Sequence, residues 1–190
     1  MAYYKSIGLI GRAQSGKDSV GARLAKRYGY QRVAFADQLK RAALRIDPLI
    51  VNHIDVPERL SAIVGRVGWD TAKVMHPEIR RILQHVGQTV RELDADFWIR
   101  HADPAIQAAD RLNLPVVVTD VRYPNEVAAL EARGFHMVRV TRPGTDTPGS
   151  HTSETALDDW RTPLTINNSG TLADLHNIVD SLLLPRASRR

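Results

Sequence analysis

The stretch Lys5-Ser6-Ile7-Gly8-Leu9-Ile10, followed at once by Gly11-Arg12-Ala13-Gln14-Ser15-Gly16-Lys17-Asp18-Ser19, decides the reading of this chain. An apolar run of strand length ends in a glycine turn, and the turn ends in Gly-Lys. Behind it Val20, Leu24 and Tyr28 recur four apart, the spacing of a helix that buries one stripe. Two glycines separated by four residues let main-chain N–H groups turn inward around an anion without Cβ clashes, and the helix N-terminus adds its own attraction for negative charge. Strand before and helix behind are the context that a Gly-x4-Gly-Lys phosphate loop requires. Lys17 is then expected to reach the β- and γ-phosphates of a nucleoside triphosphate.

Outward from that loop, short apolar runs alternate with helical patterns, which predicts an α/β sandwich of three layers around a parallel sheet. Five strands are expected, at residues 5–10, 32–35, 115–120, 136–141 and 164–167. Val116-Val117-Val118 is continuous and β-branched, as in an interior strand buried on both faces. The segment 78–93 places Ile79, Ile82, Leu83, Val86, Val90 and Leu93 on one helical side. Thr171 with Asp174 reads as an N-terminal cap, ahead of a buried stripe of Leu172, Leu175, Val179, Leu182 and Leu183 that ends at Pro185. Two stretches break the alternation. Residues 45–110 are mostly helical and read as an insertion over the sheet edge, suited to a substrate pocket. Residues 142–155 hold Pro143, Gly144, Pro148 and Gly149 and read as a lid.

The 190 residues suffice for one core, so a single domain over 1–185 with a basic tail at 186–190 is expected. With no cysteine, disulfides, thiolate metal sites and cysteine nucleophiles are excluded, and a reducing cytoplasm is compatible. No apolar run reaches the ~20 residues of a spanning helix, so no membrane partner is expected. The net charge of +5 owes three charges to Arg186, Arg189 and Arg190, which argues for a solvated tail rather than a polynucleotide surface. Oligomeric state stays open, with a homodimer as one outcome.

Several side chains carry candidate chemistry. Asp18 stands where Ser or Thr commonly gives a hydroxyl to Mg²⁺; it either takes the metal, directly or through water, or orients an acceptor phosphate, with Ser19 as a substitute hydroxyl. Asp120 ends the valine-rich strand, where an open α/β sheet meets its ligand, and suits water-mediated Mg²⁺ coordination. Arg122 would face the same crevice with a forked donor for phosphate; a structural Asp–Arg pair is the plainer alternative. Gln84, Gln88 and Arg91 share one helix face, as a solvated polar face would also do. Trp69 and Trp98 offer stacking surfaces or ordinary core packing. Asp37 and Lys40 open the helix after the second strand, as acceptor contacts or as a cap and a solvated lysine.

Taken in order, Gly16-Lys17-Asp18-Ser19, Phe35-Ala36-Asp37-Gln38-Leu39-Lys40, Leu83-Gln84-His85-Val86-Gly87-Gln88, Phe97-Trp98, Thr119-Asp120-Val121-Arg122-Tyr123-Pro124-Asn125-Glu126, His151-Thr152-Ser153-Glu154 and Ile166-Asn167-Asn168-Ser169-Gly170 resemble the phage-type deoxynucleoside monophosphate kinases. The resemblance runs over nearly the whole chain. It implies a P-loop kinase fold, ATP with Mg²⁺ as donor, a deoxynucleoside monophosphate (dNMP) as acceptor, and a host-cytoplasm setting if the source is a phage. It also makes Asp18 characteristic. Carried over residue by residue, it implies that Arg122 and Glu126 belong to the reaction crevice, that Arg142 begins the lid, that Asn168 lies near the donor adenine and that Gln84, Arg91 and Trp98 belong to the acceptor pocket. Together with the readings above, the expected catalytic residues are Lys17, Asp18, Arg122 and Arg142, and the expected metal ligands Asp18 and Asp120. ATP would be bound by Gly11, Ala13, Gln14, Ser15, Gly16, Lys17, Asp18, Ser19 and Asn168, the last near the adenine. The acceptor set is Asp37, Lys40, Trp69, Gln84, Gln88, Arg91, Trp98, Arg122 and Glu126. A P-loop kinase for another small phosphorylated acceptor, a nucleotide-dependent switch or ATPase, and a nucleotide-sensing module are the competing readings.

Overall fold

The computed structural model describes residues 4–51, 56–145 and 152–182. It falls into two compact units, Met1–Phe35 with Ala102–Arg190, and Ala36–His101.

The first unit is built on five parallel strands: β1 (Ile7–Ile10), β2 (Gln31–Val33), β5 (Val116–Val121), β6 (His136–Thr141) and β7 (Leu164–Asn167), in the order β2-β5-β1-β6-β7. All five strand regions expected from the sequence are present. The second is shorter than expected, because a helix already begins at Phe35. Val116, Val117 and Val118 are wholly buried, as an interior strand covered on both faces requires. Helix α1 (Lys17–Tyr28) lays Val20 and Leu24 against Leu9, Val117, Val138 and Val140, and α8 (Leu172–Ser181) adds Leu175 and Val179 to the same core. Gly29 ends α1 in the left-handed region at φ 69°, and the Tyr30 N–H reaches back to the Leu24 carbonyl. Thr171 and Asp174 form the expected reciprocal cap of α8. Leu172, placed on the buried stripe by its spacing, is 58% exposed. It is the first residue of the helix, before the packed turn begins. Leu183, Pro185 and the basic tail lie outside the described residues.

Because the strands are parallel, their carboxyl ends share one edge, and β1 sits where the chain's progress through the sheet reverses direction. Next to it the β1–β5 register slips. Gly8 pairs with Val118 but Ile10 with Val121, so β5 carries one extra residue around Thr119 and Asp120. Helix α6 (Pro124–Glu131) follows this strand directly.

The second unit holds most of α2 (Phe35–Ile46), a hairpin of β3 (Leu49–Val51) and β4 (Pro57–Arg59), α3 (Leu60–Met75), α4 (Pro77–Leu93) and the start of α5 (Phe97–Arg111). Its own core gathers Ala43, Ile50, Leu60, Ile63, Ala72, Ile79 and Leu83. The antiparallel hairpin is a feature that the helical reading of residues 45–110 missed. Within α3, Gly68 takes φ 74° and ψ 165°, a kink that only glycine accepts without strain. On α4 the predicted stripe holds at Ile79 and Leu83, but Leu93 is 85% exposed at the final turn.

Candidate functional site

Residues 11–16 leave the carboxyl end of β1 and lead into α1. Gly11 has φ 148°, and a Cβ there would lie 2.2 Å from the Val140 carbonyl oxygen. Gly16 caps α1 at φ 107°, and its Cβ would lie 2.5 Å from Asn168 Nδ2. Both glycines are therefore demanded twice, by dihedral and by space. Asn168 Nδ2 donates to the Ser15 carbonyl at 2.9 Å, tying the loop to the end of β7. Asn168 therefore holds the loop from behind through one N–H of its amide. The buried hydroxyls of Ser15 and Thr119 have no hydrogen-bond partner among the described residues. Orphaned hydroxyls beside a glycine-lined loop fit a site built for a polar ligand.

Lys17, the first residue of α1, folds its ammonium back onto the Gly11 and Arg12 carbonyls, each at 2.7 Å. Burial, and next the charge of Arg122, pull its pKa down to about 8, against the opposing pull of Glu154, Asp18 and Asp120. Those four side chains thus act on the ammonium at close range. Asp18 is exposed in the first turn of α1, Ser19 is half-buried and Gln14 is exposed. Asp120 Oδ1 accepts the Phe35 N–H at 2.9 Å. A carboxylate has about four acceptor positions, so this bond does not exhaust it.

Arg122 pairs through Nη1 with Glu154 Oε1 and donates to the Ser153 carbonyl at 3.2 Å. Burial opposes its charge, but Glu154, Asp120 and Glu126 outweigh that and hold its pKa above the ordinary value. Glu126 is buried, and its Oε2 accepts the N–H groups of Arg122 (2.7 Å) and Tyr123 (3.2 Å) in the cap of α6. Its carboxylate fixes the turn that carries Arg122. Arg142 is exposed, and its carbonyl closes a turn on Thr145. Residues 146–151 of the expected lid lie outside the described residues.

Glu154 was not singled out from the sequence. It stands in the short helix α7 (Thr152–Thr155), with Oε2 accepting the Ala13 N–H at 2.7 Å. Burial raises its pKa, but Arg122, the Ala13 amide and Lys17 outweigh this and hold it below the usual carboxylate range. The available signal was an acid closing the His-Thr-Ser-Glu run just behind a Pro- and Gly-rich loop.

For the metal, no group of three or more His, Asp or Glu among the described residues forms a cage. Mg²⁺ is commonly held by one or two carboxylates plus the phosphates it bridges. Asp18 and Asp120, both near Lys17, fit that donor set.

Within the second unit, Lys40 lies 3.9 Å from Asp37 and 5.9 Å from the Trp69 ring centroid, so these three expected acceptor residues do meet. Gly87 on α4 abuts Leu39 on α2, where a Cβ would come within 3.1 Å of the leucine. This sets the half-buried Gln84, Gln88 and Arg91 on a helix packed against the one carrying Lys40. Gln88 Nε2 donates to Glu92 at 3.2 Å. Trp98 is only 6% exposed, with its indole N–H donated to the Gly87 carbonyl at 3.2 Å, so it packs in the unit instead of offering a stacking wall.

A glycine-bounded loop at the carboxyl edge of a parallel sheet, with its lysine folded among carboxylates and a strand-end Asp and Arg beside it, defines a P-loop α/β protein of the kinase type. Within that class the chain belongs to the deoxynucleotide monophosphate kinase family, whose model matches residues 62–179, more than half of it. Among relatives, the uncharacterized protein ORF77 of Ictalurid herpesvirus 1 is 39% identical over 111 residues, 56% of this chain and 49% of that one. ORF76 of the same virus is 29% identical over 188 residues, 95% of this chain and 66% of that one. The deoxynucleotide monophosphate kinase of Escherichia phage RB69 is 29% identical over 110 residues, 55% of this chain and 44% of that one. The matches thus span about half to two thirds of these relatives' lengths.

Proposed function

We propose that the chain transfers the γ-phosphoryl group of Mg²⁺–ATP to a deoxynucleoside monophosphate, giving the diphosphate and ADP. The observation that carries this reading is the loop at residues 11–17, with two space-limited glycines and a buried lysine beside Arg122. It is supported independently by the family match, which begins at residue 62 and so owes nothing to that loop.

An oxygen of the acceptor phosphate attacks the γ-phosphorus in line. The bond to the β,γ-bridging oxygen breaks, and its electrons leave with ADP. The attacking oxygen is already anionic near neutral pH, so no strong base is needed; positioning and charge neutralisation do the catalysis. Magnesium, when bound, would offset the negative charge of the phosphates. Lys17 leaves its carbonyl partners for the phosphates, Asp18 and Asp120 would hold the metal, and Arg122 steadies the transferring group. Arg142, at the start of the expected lid, is assigned to the same group once nucleotide is bound. Asp37, Lys40, Trp69, Gln84, Gln88 and Arg91 are assigned to the acceptor. The substrates are small molecules, without polynucleotide, in the cytoplasm.

ADP release with Mg²⁺–ATP tests this against the four dNMPs, their ribose counterparts, phosphomevalonate and dephospho-coenzyme A. Turnover confined to nucleotides, with deoxyribose favoured, is expected. Preference for a non-nucleotide acceptor, or hydrolysis indifferent to all of them, would refute the assignment.

A further inference from the structure

In this structure a carboxylate occupies one of the phosphate loop's own N–H donors and the arginine beside it. Glu154 takes the Ala13 N–H at 2.7 Å with one oxygen and the Arg122 guanidinium with the other, and it lies close enough to Lys17 to act on its charge. Its side chain is 14% exposed. A loop amide, an arginine and a lysine converging on one anionic group is how a phosphate is held, and a carboxylate supplies the same charge sign with two acceptor oxygens.

The geometry points to Glu154 as an internal stand-in for nucleotide phosphate: it must leave the loop before ATP enters, so donor affinity is set by competition between a tethered carboxylate and the triphosphate. This rests on the nucleotide assignment above. The chain behind Glu154 is fastened independently of it. Leu157 is buried, Arg139 Nη2 donates to the Leu157 and Trp160 carbonyls at 2.7 and 2.5 Å, and Arg12 pairs with Asp158 at 2.6 Å. Departure of Glu154 therefore needs only α7 to move, while residues 157–160 remain held. Its second effect is to keep Arg122 neutralised when no phosphate is present. Without Glu154, the half-buried guanidinium would depend on Asp120 and Glu126 for compensation.

The two effects predict opposite signs in one variant, which a merely structural ion pair would not give. Glu154→Gln keeps the shape and removes the charge. Its ligand-free melting temperature should fall, while Mg²⁺–ATP and metal-free tripolyphosphate, titrated calorimetrically, should bind about tenfold tighter than to wild type, the equivalent of about 1.4 kcal/mol. Glu154→Asp, too short to span both donors, should shift affinity in the same direction by less. Unchanged or weaker binding of both ligands to a folded Glu154→Gln protein overturns the stand-in role. Wild-type protein with no affinity for either ligand overturns the nucleotide assignment together with it.

Discussion

Lys17 is a cation taken out of water and set beside another cation, Arg122, which is why its pKa falls to about 8. An incoming triphosphate reverses that balance by placing several negative charges at the ammonium. The ligand-free protein is therefore partly deprotonated at Lys17 above pH 8, and nucleotide binding restores the proton. Calorimetric titration at pH 8.5 in buffers of differing ionisation enthalpy should show net proton uptake with ATP, and Lys17→Ala should abolish it. Stability has its own sign. The folded pKa lies below the unfolded value of 10.5, so the unfolded chain holds more protons between about pH 8 and 10.5. The destabilising contribution of Lys17 is fully present below that window and is relieved as pH rises through it. The loop residues were legible because glycine spacing and flanking periodicity are local. The main-chain partners of Asn168 and Glu126 were not legible, since they depend on atoms more than a hundred residues away in the first case and on cap geometry in the second. Glu154 went unread for the same reason: its partners Ala13 and Arg122 are distant in sequence.

Helices and strands were read best where burial repeats over several turns or a whole strand. Strands β1, β5 and β6 and helices α1, α4 and α8 follow from such repeats, whereas the β3–β4 hairpin, like β2, has three residues per strand, too few positions to show alternation. Terminal positions such as Leu93 and Leu172 obey the period yet escape burial, because the neighbouring element has already ended. The α1 cap gives a sharp prediction. Gly16→Ala must adopt φ 107° and displace Asn168 from its hydrogen bond to Ser15. The strain alone should destabilise by about 1–3 kcal/mol in chemical denaturation, and ATP binding should be lost even where the protein remains folded. In the second unit, Ile63 is completely buried among Ile50, Leu60 and Ile79. Ile63→Ala should cost about 2–5 kcal/mol. At a temperature where the variant is still folded, the assigned roles predict that KM for the acceptor rises more than KM for ATP.

Across the molecule, two lines of evidence rest on different residues: the phosphate loop at 11–17, and the family match over 62–179. They meet only if donor and acceptor chemistry belong to one enzyme. Charge adds little to this, since three of the five net positive charges sit in residues 186–190, outside the described structure. No helix among the described residues is long and apolar enough to cross a membrane. The most direct measurement follows γ-labelled ATP with Mg²⁺ and an equimolar mixture of the four dNMPs. The label should appear in the β-position of deoxynucleoside diphosphates, and folded Lys17→Ala protein should form them at least about a hundredfold more slowly. Label recovered only as inorganic phosphate, or transfer undiminished in Lys17→Ala, would contradict the assignment of this chain as a deoxynucleotide-phosphorylating enzyme working through its phosphate loop.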